Sequence, residues 1–244
     1  SGVVAKAMLR EVGVEITSYV ERIGSVVCEG IDPAEADMNA VYASDVSCPD
    51  AEVARGMCSA IDAAREAGES LGGVIVVRVT GLVPGLGGYA EAAQRLDAAL
   101  GAAMFSIPAI KGVEFGDGFL AAGRPGSQVH DPIVVDESGE LRRASDHAGG
   151  LEGGMTNGEM LVIRAAMKPI PTLTRPLMSV DLDSGLPVDA AHERSDVCAV
   201  PAAGVVAEAE AAIVLASAYQ SKFGHDSVVD IQCALSAYRG RIAR

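Results

Sequence analysis

Tryptophan is absent from this chain of 244 residues, and aromatic side chains make up only 4% of it. That scarcity argues against an aromatic stacking platform for nucleic acid. The core must instead be built from Ala, Val, Leu, Ile and Met, within an apolar fraction of 49%. Basic residues number 19 against 33 acidic ones, and the formal charge of −14 leaves no basic stripe for a phosphate backbone. An anionic ligand would need a local positive pocket inside an acidic protein. Cysteine is sparse: the five, at 28, 48, 58, 198 and 233, form no CxxC pair. Their odd number and wide spacing fit a reducing, cytoplasmic compartment. No apolar stretch reads as long enough to span a bilayer. Ser1 to Arg10 lacks the basic flank of a signal peptide and reads as the latter part of a helix already under way.

Several chemistries are missing as well. The glycines of Gly81–Gly88 are not followed by Gly-Lys-Ser/Thr and do not match the dinucleotide fingerprint. They read as a turn or a place of close backbone approach. No Gly-x-Ser-x-Gly elbow occurs. His130, His192 and His225 share no ligand spacing with any cysteine or carboxylate, so no metal site is expected.

What is present reads as one domain over residues 1–244, since no low-complexity linker divides it. Residues 3–12 have helical spacing, and Val14 to Val27 alternates as a half-buried strand does. Residues 31–47 read as a short helix or surface excursion. Asp50 offers a helix cap for Ala51–Ala67, whose Val53, Met57, Ile61 and Ala64 share one stripe. Val74–Val79 is strand-like. Ala90–Met104 reads as a helix, followed by the apolar stretch Ile107–Val113 and a glycine corner at Gly116–Gly118. Residues 121–158 are the least regular part, and a hydrophobic core cannot order them alone. A strand at Met160–Ala166, a short strand or edge at Val180–Asp183, and helices at Ala202–Tyr219 and Ser227–Arg241 complete the reading.

Three segments read as parts of one anion-handling site. In Lys168-Pro169-Ile170-Pro171-Thr172, two prolines hold the backbone extended, so an ammonium and a hydroxyl reach one side of a loop. The plainer reading is a surface lysine on a rigid loop. Arg194-Ser195-Asp196 sets a planar cation, a hydroxyl and a carboxylate at the lip of an apolar helix. The plainer reading is an Arg–Asp ion pair capping that helix. His147, with Gly149, Gly150, Gly153 and Gly154, suggests a mobile loop over which a ligand ring lies, or a surface histidine. Cys198 reads as a small core residue rather than a nucleophile.

Longer stretches carry a resemblance. Cys48-Pro49-Asp50, Pro84–Gly87, Arg95–Ala98, Ala109–Phe119, His147–Gly158, Lys168–Thr172 and Arg194–Ala202 together resemble the chorismate synthase family, close to its actinobacterial form. The resemblance covers nearly the whole chain. It implies an α+β sandwich with helices layered between antiparallel β-sheets, assembled as a homotetramer. The activity it implies is a phosphate lyase of the shikimate pathway, leading to the aromatic amino acids. 5-Enolpyruvylshikimate 3-phosphate becomes chorismate and phosphate by 1,4-trans elimination, with reduced FMN required; NADP is associated with the family. Pro108, Ala109 and Gly153 are implied at the flavin. Lys168, Pro169, Ile170, Pro171, Thr172, Arg194 and Ser195 would hold its phosphate or ring edge, across a subunit boundary or within one chain. Asp196 is implied near flavin N5, where it assists the substrate proton's transfer. Segment 121–158 would be the glycine-rich part of the flavin site.

This chain departs from the family pattern in three ways. Pro108 stands where many members have Asn or Gln. Ser145-Asp146 stands where the glycine segment usually opens with Ser-Asn or Thr-Asn, adding a carboxylate near an anionic ligand. The family's preceding part, with its Ser-His-Gly segment and phosphate-binding arginines, is not in this sequence. The expectation is therefore a C-terminal two-thirds, with little or no turnover alone. A flavin-binding or scaffold homologue without turnover is the alternative.

Overall fold

The structure is a computed structural model and describes residues 1–137, 139, 141–190, 196–224 and 226–242. In chain order the elements are α1 (Gly2–Arg10), β1 (Glu15–Ile23), β2 (Val26–Val27), α2 (Met38–Ala43), α3 (Ala51–Ala67), β3 (Gly73–Thr80), α4 (Leu96–Ser106) and β4 (Ile110–Phe115). Then come β5 (Ile133–Val135), β6 (Leu141–Arg143), β7 (Leu151–Glu152), β8 (Met155–Thr156), β9 (Leu161–Met167), β10 (Met178–Val180), β11 (Pro187–Asp189), α5 (Val200–Phe223) and α6 (Val228–Ile242).

A five-stranded sheet in the order β2-β1-β3-β9-β4 organises the chain, and every pairing in it is antiparallel. The fold is α+β, as the resemblance implies. Alternation decides which face of each strand is buried. Ile75, Val77 and Val79 of β3 and Leu161, Ile163 and Ala165 of β9 share one core with α5 and with Leu100 and Met104 of α4. Val76 and Val162 point to the opposite face, where Tyr19, Ala36 and Val41 form a smaller cluster beneath α2. Burying each such aliphatic side chain contributes about 1.5–3 kcal/mol.

The sheet is crossed by α5, which packs against β1, β3, α1, α4 and α6. Its inner stripe of Ala203, Gly204, Ala207, Ala211 and Ala212 is buried, letting the helix approach the strands closely. Here the structure corrects the bilayer reading. At 24 residues α5 is long and apolar enough to cross a membrane by length and composition, although its inner face lies against the sheet. The polar side chains of this interface are paired: Ser18 Oγ donates to Glu208 Oε1 at 2.7 Å, and Lys6 forms an ion pair with Glu208.

Local signals account for most element boundaries. The Asp50 carboxylate accepts from the N–H groups of Glu52 and Val53, both at 2.8 Å, as the cap reading expects, and Gly68 ends α3 in the left-handed region. Val14–Val27 becomes two strands, because Gly24 turns the chain at φ 55°. The helix expected from Ala90 begins only at Leu96, whose N–H donates to Gly154 O at 2.8 Å. That tertiary hydrogen bond, invisible to periodicity, takes the helix's first donor. Of the edge expected at Val180–Asp183 only Val180 is strand, the last residue of β10, and Asp181–Asp183 enter the turn of the β10–β11 hairpin, closed by Gly185 N donating to Asp181 O at 2.8 Å. Segment 121–158 contains two further hairpins, β5–β6 and β7–β8.

Candidate functional site

One end of the sheet gathers most of the residues the sequence singles out. The chain leaves α4 through Pro108 and Ala109 and enters β4, whose Ile110 pairs with Met167 of β9. Lys168, the next residue, donates its N–H to Ala109 O at 2.9 Å. Ala109 takes φ 69°, a left-handed conformation uncommon for a residue with a Cβ. Segment 68–72 braces the other side. Ser70 Oγ donates to Ile170 O at 2.6 Å, and Arg175 N to Gly68 O at 3.3 Å. A Cβ on Gly72 would collide with Met167 O, so only glycine allows the two backbones this close.

The same brace reaches Asp196. Leu71 donates its N–H to Val197 O at 2.8 Å and bridges Cys198 in parallel. Lys168–Thr172 and Asp196–Cys198 thus flank one short segment at one end of the sheet. Lys168, Pro169, Pro171 and Asp196 are exposed, and among the described residues Lys168 is in no ion pair. An accessible ammonium beside an extended, proline-held backbone is suited to a phosphate. Asp196 does not cap the following helix: the N-cap of α5 is Ala199, with no side-chain cap bond. Arg194 and Ser195 lie outside the described residues, so the structure leaves the Arg–Asp pairing undescribed.

Gly153 lies elsewhere. It forms the tip of the β7–β8 hairpin beside Gly154, whose carbonyl receives Leu96 N. Gly150 packs against Met160 and Leu161 at the start of β9, whereas Lys168 follows its end. About 20 Å of strand separates the two places.

Leu151 anchors the glycine segment in the main core, and carboxylates hold the part before it. Asp131 accepts from Ser145 Oγ (2.6 Å), His147 N (2.9 Å) and Ala148 N (3.0 Å). Burial alone would raise Asp131, but these donors outweigh it and keep the carboxyl below its ordinary range. Among the described residues the Asp146 carboxylate accepts from Gly150 N alone, at 2.8 Å; burial, with Asp131, Glu159 and Asp32 nearby, pushes it up to about 7. Burial thus favours the uncharged form of Asp146 near neutral pH. His147 Nδ1 meets Asp117 Oδ2 at 2.8 Å, and Arg124 pairs with that oxygen at 2.6 Å. Gly81–Gly88 is a locked turn: Thr156 Oγ1 donates to Val83 O, and Gly85 N donates to Thr156 O, both at 2.7 Å.

A polar cleft of about 560 Å³ lies on the smaller-core side, bordered by Asp146, His147, Asp117, Glu159 and Arg164. Arg164 is fixed there by Glu21 Oε1 at 3.1 Å and Gly116 O at 3.0 Å. His147 and Gly158 of the glycine segment line this cleft, whereas Pro108, Ala109, Gly153, Lys168–Thr172 and Asp196 do not. Among the described residues, those latter ones lie exposed or half-buried near the two ends of β9. Sequence reasoning missed Ser70, Gly72 and Asp131, none of which belongs to a recognisable motif.

The chain is an antiparallel α+β protein that sets an exposed lysine–proline loop and a nearby carboxylate at one sheet end, a surface suited to an anion. Comparison with known proteins narrows the class. The family model described as chorismate synthase matches residues 1–220, and the chain belongs to that family. It is 51% identical over 239 residues to a chorismate synthase of Paenarthrobacter aurescens, covering 97% of this chain and 60% of that protein. It is 52% identical over 244 residues to one of Rubrobacter xylanophilus, covering 99% and 62%. A solved structure titled "Crystal Structure of Chorismate Synthase" superposes with a TM-score of 0.83 at 38% identity, covering 98% of this chain and 67% of that one. The chain spans about 60% of the length of the curated relatives it matches.

Proposed function

We propose that this chain supplies the flavin-holding part of a chorismate synthase, acting on 5-enolpyruvylshikimate 3-phosphate to release phosphate and form chorismate. Family membership and the placing of Ala109, Lys168–Thr172 and Asp196 at one end of the sheet support the reading. Lys168 and Thr172 would hold the FMN phosphate, with the Ala109 backbone and Pro108 beside the ring. Arg194 and Ser195 would complete the grip. Reduced FMN, when bound, supplies electron density that assists phosphate departure. Asp196 would handle the proton lost by the substrate, its exposed carboxylate being free to face a ligand seated on this surface.

Gly153 sits towards the start of β9 and Lys168 follows its end, which supports a surface shared between two copies. In the proposed homotetramer the glycine hairpin of a second copy completes it, and the N-terminal segment of the longer relatives supplies the substrate's anion-binding groups. The test mixes this chain with that segment, reduced FMN and substrate, and follows chorismate absorbance. Asp196→Ala should cut turnover far more than flavin affinity; equal losses would assign it to binding only. Assemblies mixing Lys168→Ala and Gly153→Ala chains should regain activity that neither has alone. Flavin binding without turnover in the completed wild-type assembly would instead favour a scaffold homologue.

A further inference from the structure

Tyr238 lies on α6, beyond the residues that the family model matches, and no motif marks it. The helix is peripheral: of its residues only Ile231 and Leu235 are buried. Its polar side chains nevertheless reach the backbone of two turns. Gln232 Nε2 donates to Glu11 O at 2.7 Å, and the Tyr238 hydroxyl donates to Pro84 O at 2.9 Å. The Tyr238 ring is held in place for that bond. Phe223 meets it edge-on with centroids 5.5 Å apart, and the Lys222 ammonium lies 4.6 Å from its centroid. Gly85 makes room for the hydroxyl, since a Cβ there would stand 2.8 Å from Tyr238 Oη.

The turn that Tyr238 holds is itself paired with the glycine hairpin. Gly85 N donates to Thr156 O at 2.7 Å and Leu86 N to Thr156 Oγ1 at 2.8 Å, while Thr156 N donates to Leu86 O at 3.0 Å. Gly87 bridges Met155, so both residues of β8 are registered against this turn. Gly153, at the hairpin tip, has no such support: a Cβ on it would meet nothing within 4 Å. Its place is therefore set by the strand that follows it.

We propose that Tyr238 is a positioning residue for the flavin: its hydroxyl fixes the Pro84 turn, the turn fixes β8, and β8 sets where Gly153 meets the ring. The role rests on the reading of Gly153 as a flavin contact. Tyr219, the other tyrosine at this turn, accepts from Val83 N at 3.4 Å, a long and weak bond, so the outer hold falls to Tyr238. Lys168–Thr172 has its own brace at Ser70–Gly72 and takes no part in this relay. The effect of Tyr238 is thus confined to the hairpin side of the flavin.

Tyr238→Phe deletes the hydroxyl and keeps the ring against Phe223 and Lys222, so the fold is retained. In the full chain, amide exchange at residues 85–87 and 155–156 should quicken about five- to tenfold, with residues 168–172 unchanged. In the assembly with the N-terminal segment, the Kd for FMN, followed by flavin fluorescence, should rise about three- to tenfold. Double-mutant cycles separate positioning from general support. With Gly153→Ala the effect of Tyr238→Phe on Kd should shrink towards none, whereas with Lys168→Ala the two effects should multiply. Wild-type exchange at 85–87 and 155–156, an unchanged Kd, or multiplying effects with Gly153→Ala would overturn the proposal. A wild-type assembly that binds no FMN would overturn the flavin reading itself and this role with it, whatever the exchange result.

Discussion

Lys168 donates its backbone N–H to the carbonyl of Ala109 at 2.9 Å, joining the exit of α4 to the exit of β9. The bond needs the left-handed turn at Ala109, where φ is 69°. A Cβ there costs on the order of 1 kcal/mol, and a β-branched side chain more. Ala109→Gly should be neutral or slightly stabilising. Ala109→Val should lose roughly 2–3 kcal/mol in urea unfolding and weaken FMN binding. Equal stability of the two variants would show that the turn is unstrained.

Ser70 acts from the other side of the same loop. Its hydroxyl is buried and donates to Ile170 O at 2.6 Å. Ser70→Ala should cost about 1–2 kcal/mol and speed amide exchange across residues 168–172, leaving the β7–β8 hairpin unaffected. Uniform acceleration over the whole chain would mean that the residue only supports global stability.

Asp146 makes stability depend on pH. Its folded pKa, about 7, lies above the ordinary 3.8, so the native chain keeps a proton that the unfolded chain gives up. The stabilising contribution is complete below about pH 4, declines as pH rises, and is gone above about pH 7. Asp146→Asn should match wild type at pH 4 and exceed it at pH 8. The gain is roughly 2–3 kcal/mol, after allowing for the group's partial solvent contact. Parallel unfolding curves for the two proteins from pH 4 to 8 would contradict this.

Tyr19 buries its hydroxyl with no partner among the described residues. Tyr19→Phe removes an unsatisfied polar atom without opening a cavity, and should be neutral or stabilise by up to about 1 kcal/mol. A clear loss of stability by thermal unfolding would reveal a bond not seen here.

The periodic parts of the fold were legible. Apolar alternation marked β1, β-branched residues marked β3, the small-residue run marked α5, and Pro49-Asp50 marked the start of α3. The glycine segment was harder. Its order before Leu151 comes from the Asp131 and Asp146 carboxylates collecting N–H groups, an arrangement with no period to read. Of the expected site, Lys168–Thr172 and Asp196 were found as motifs. Their shared brace at Ser70–Gly72 was not, because a backbone contact leaves no residue pattern behind.

By itself the sequence determined the family, the alternation that makes an antiparallel sheet, and the residue types able to grip an anion. These depend on local order: side-chain period, caps and long contiguous motifs. Only the tertiary structure decided that Lys168 and Asp196 share an end of the sheet while Gly153 sits at the other. Those relations follow from strand pairing between distant segments, where one register, set by packing of the whole core, fixes many separations at once.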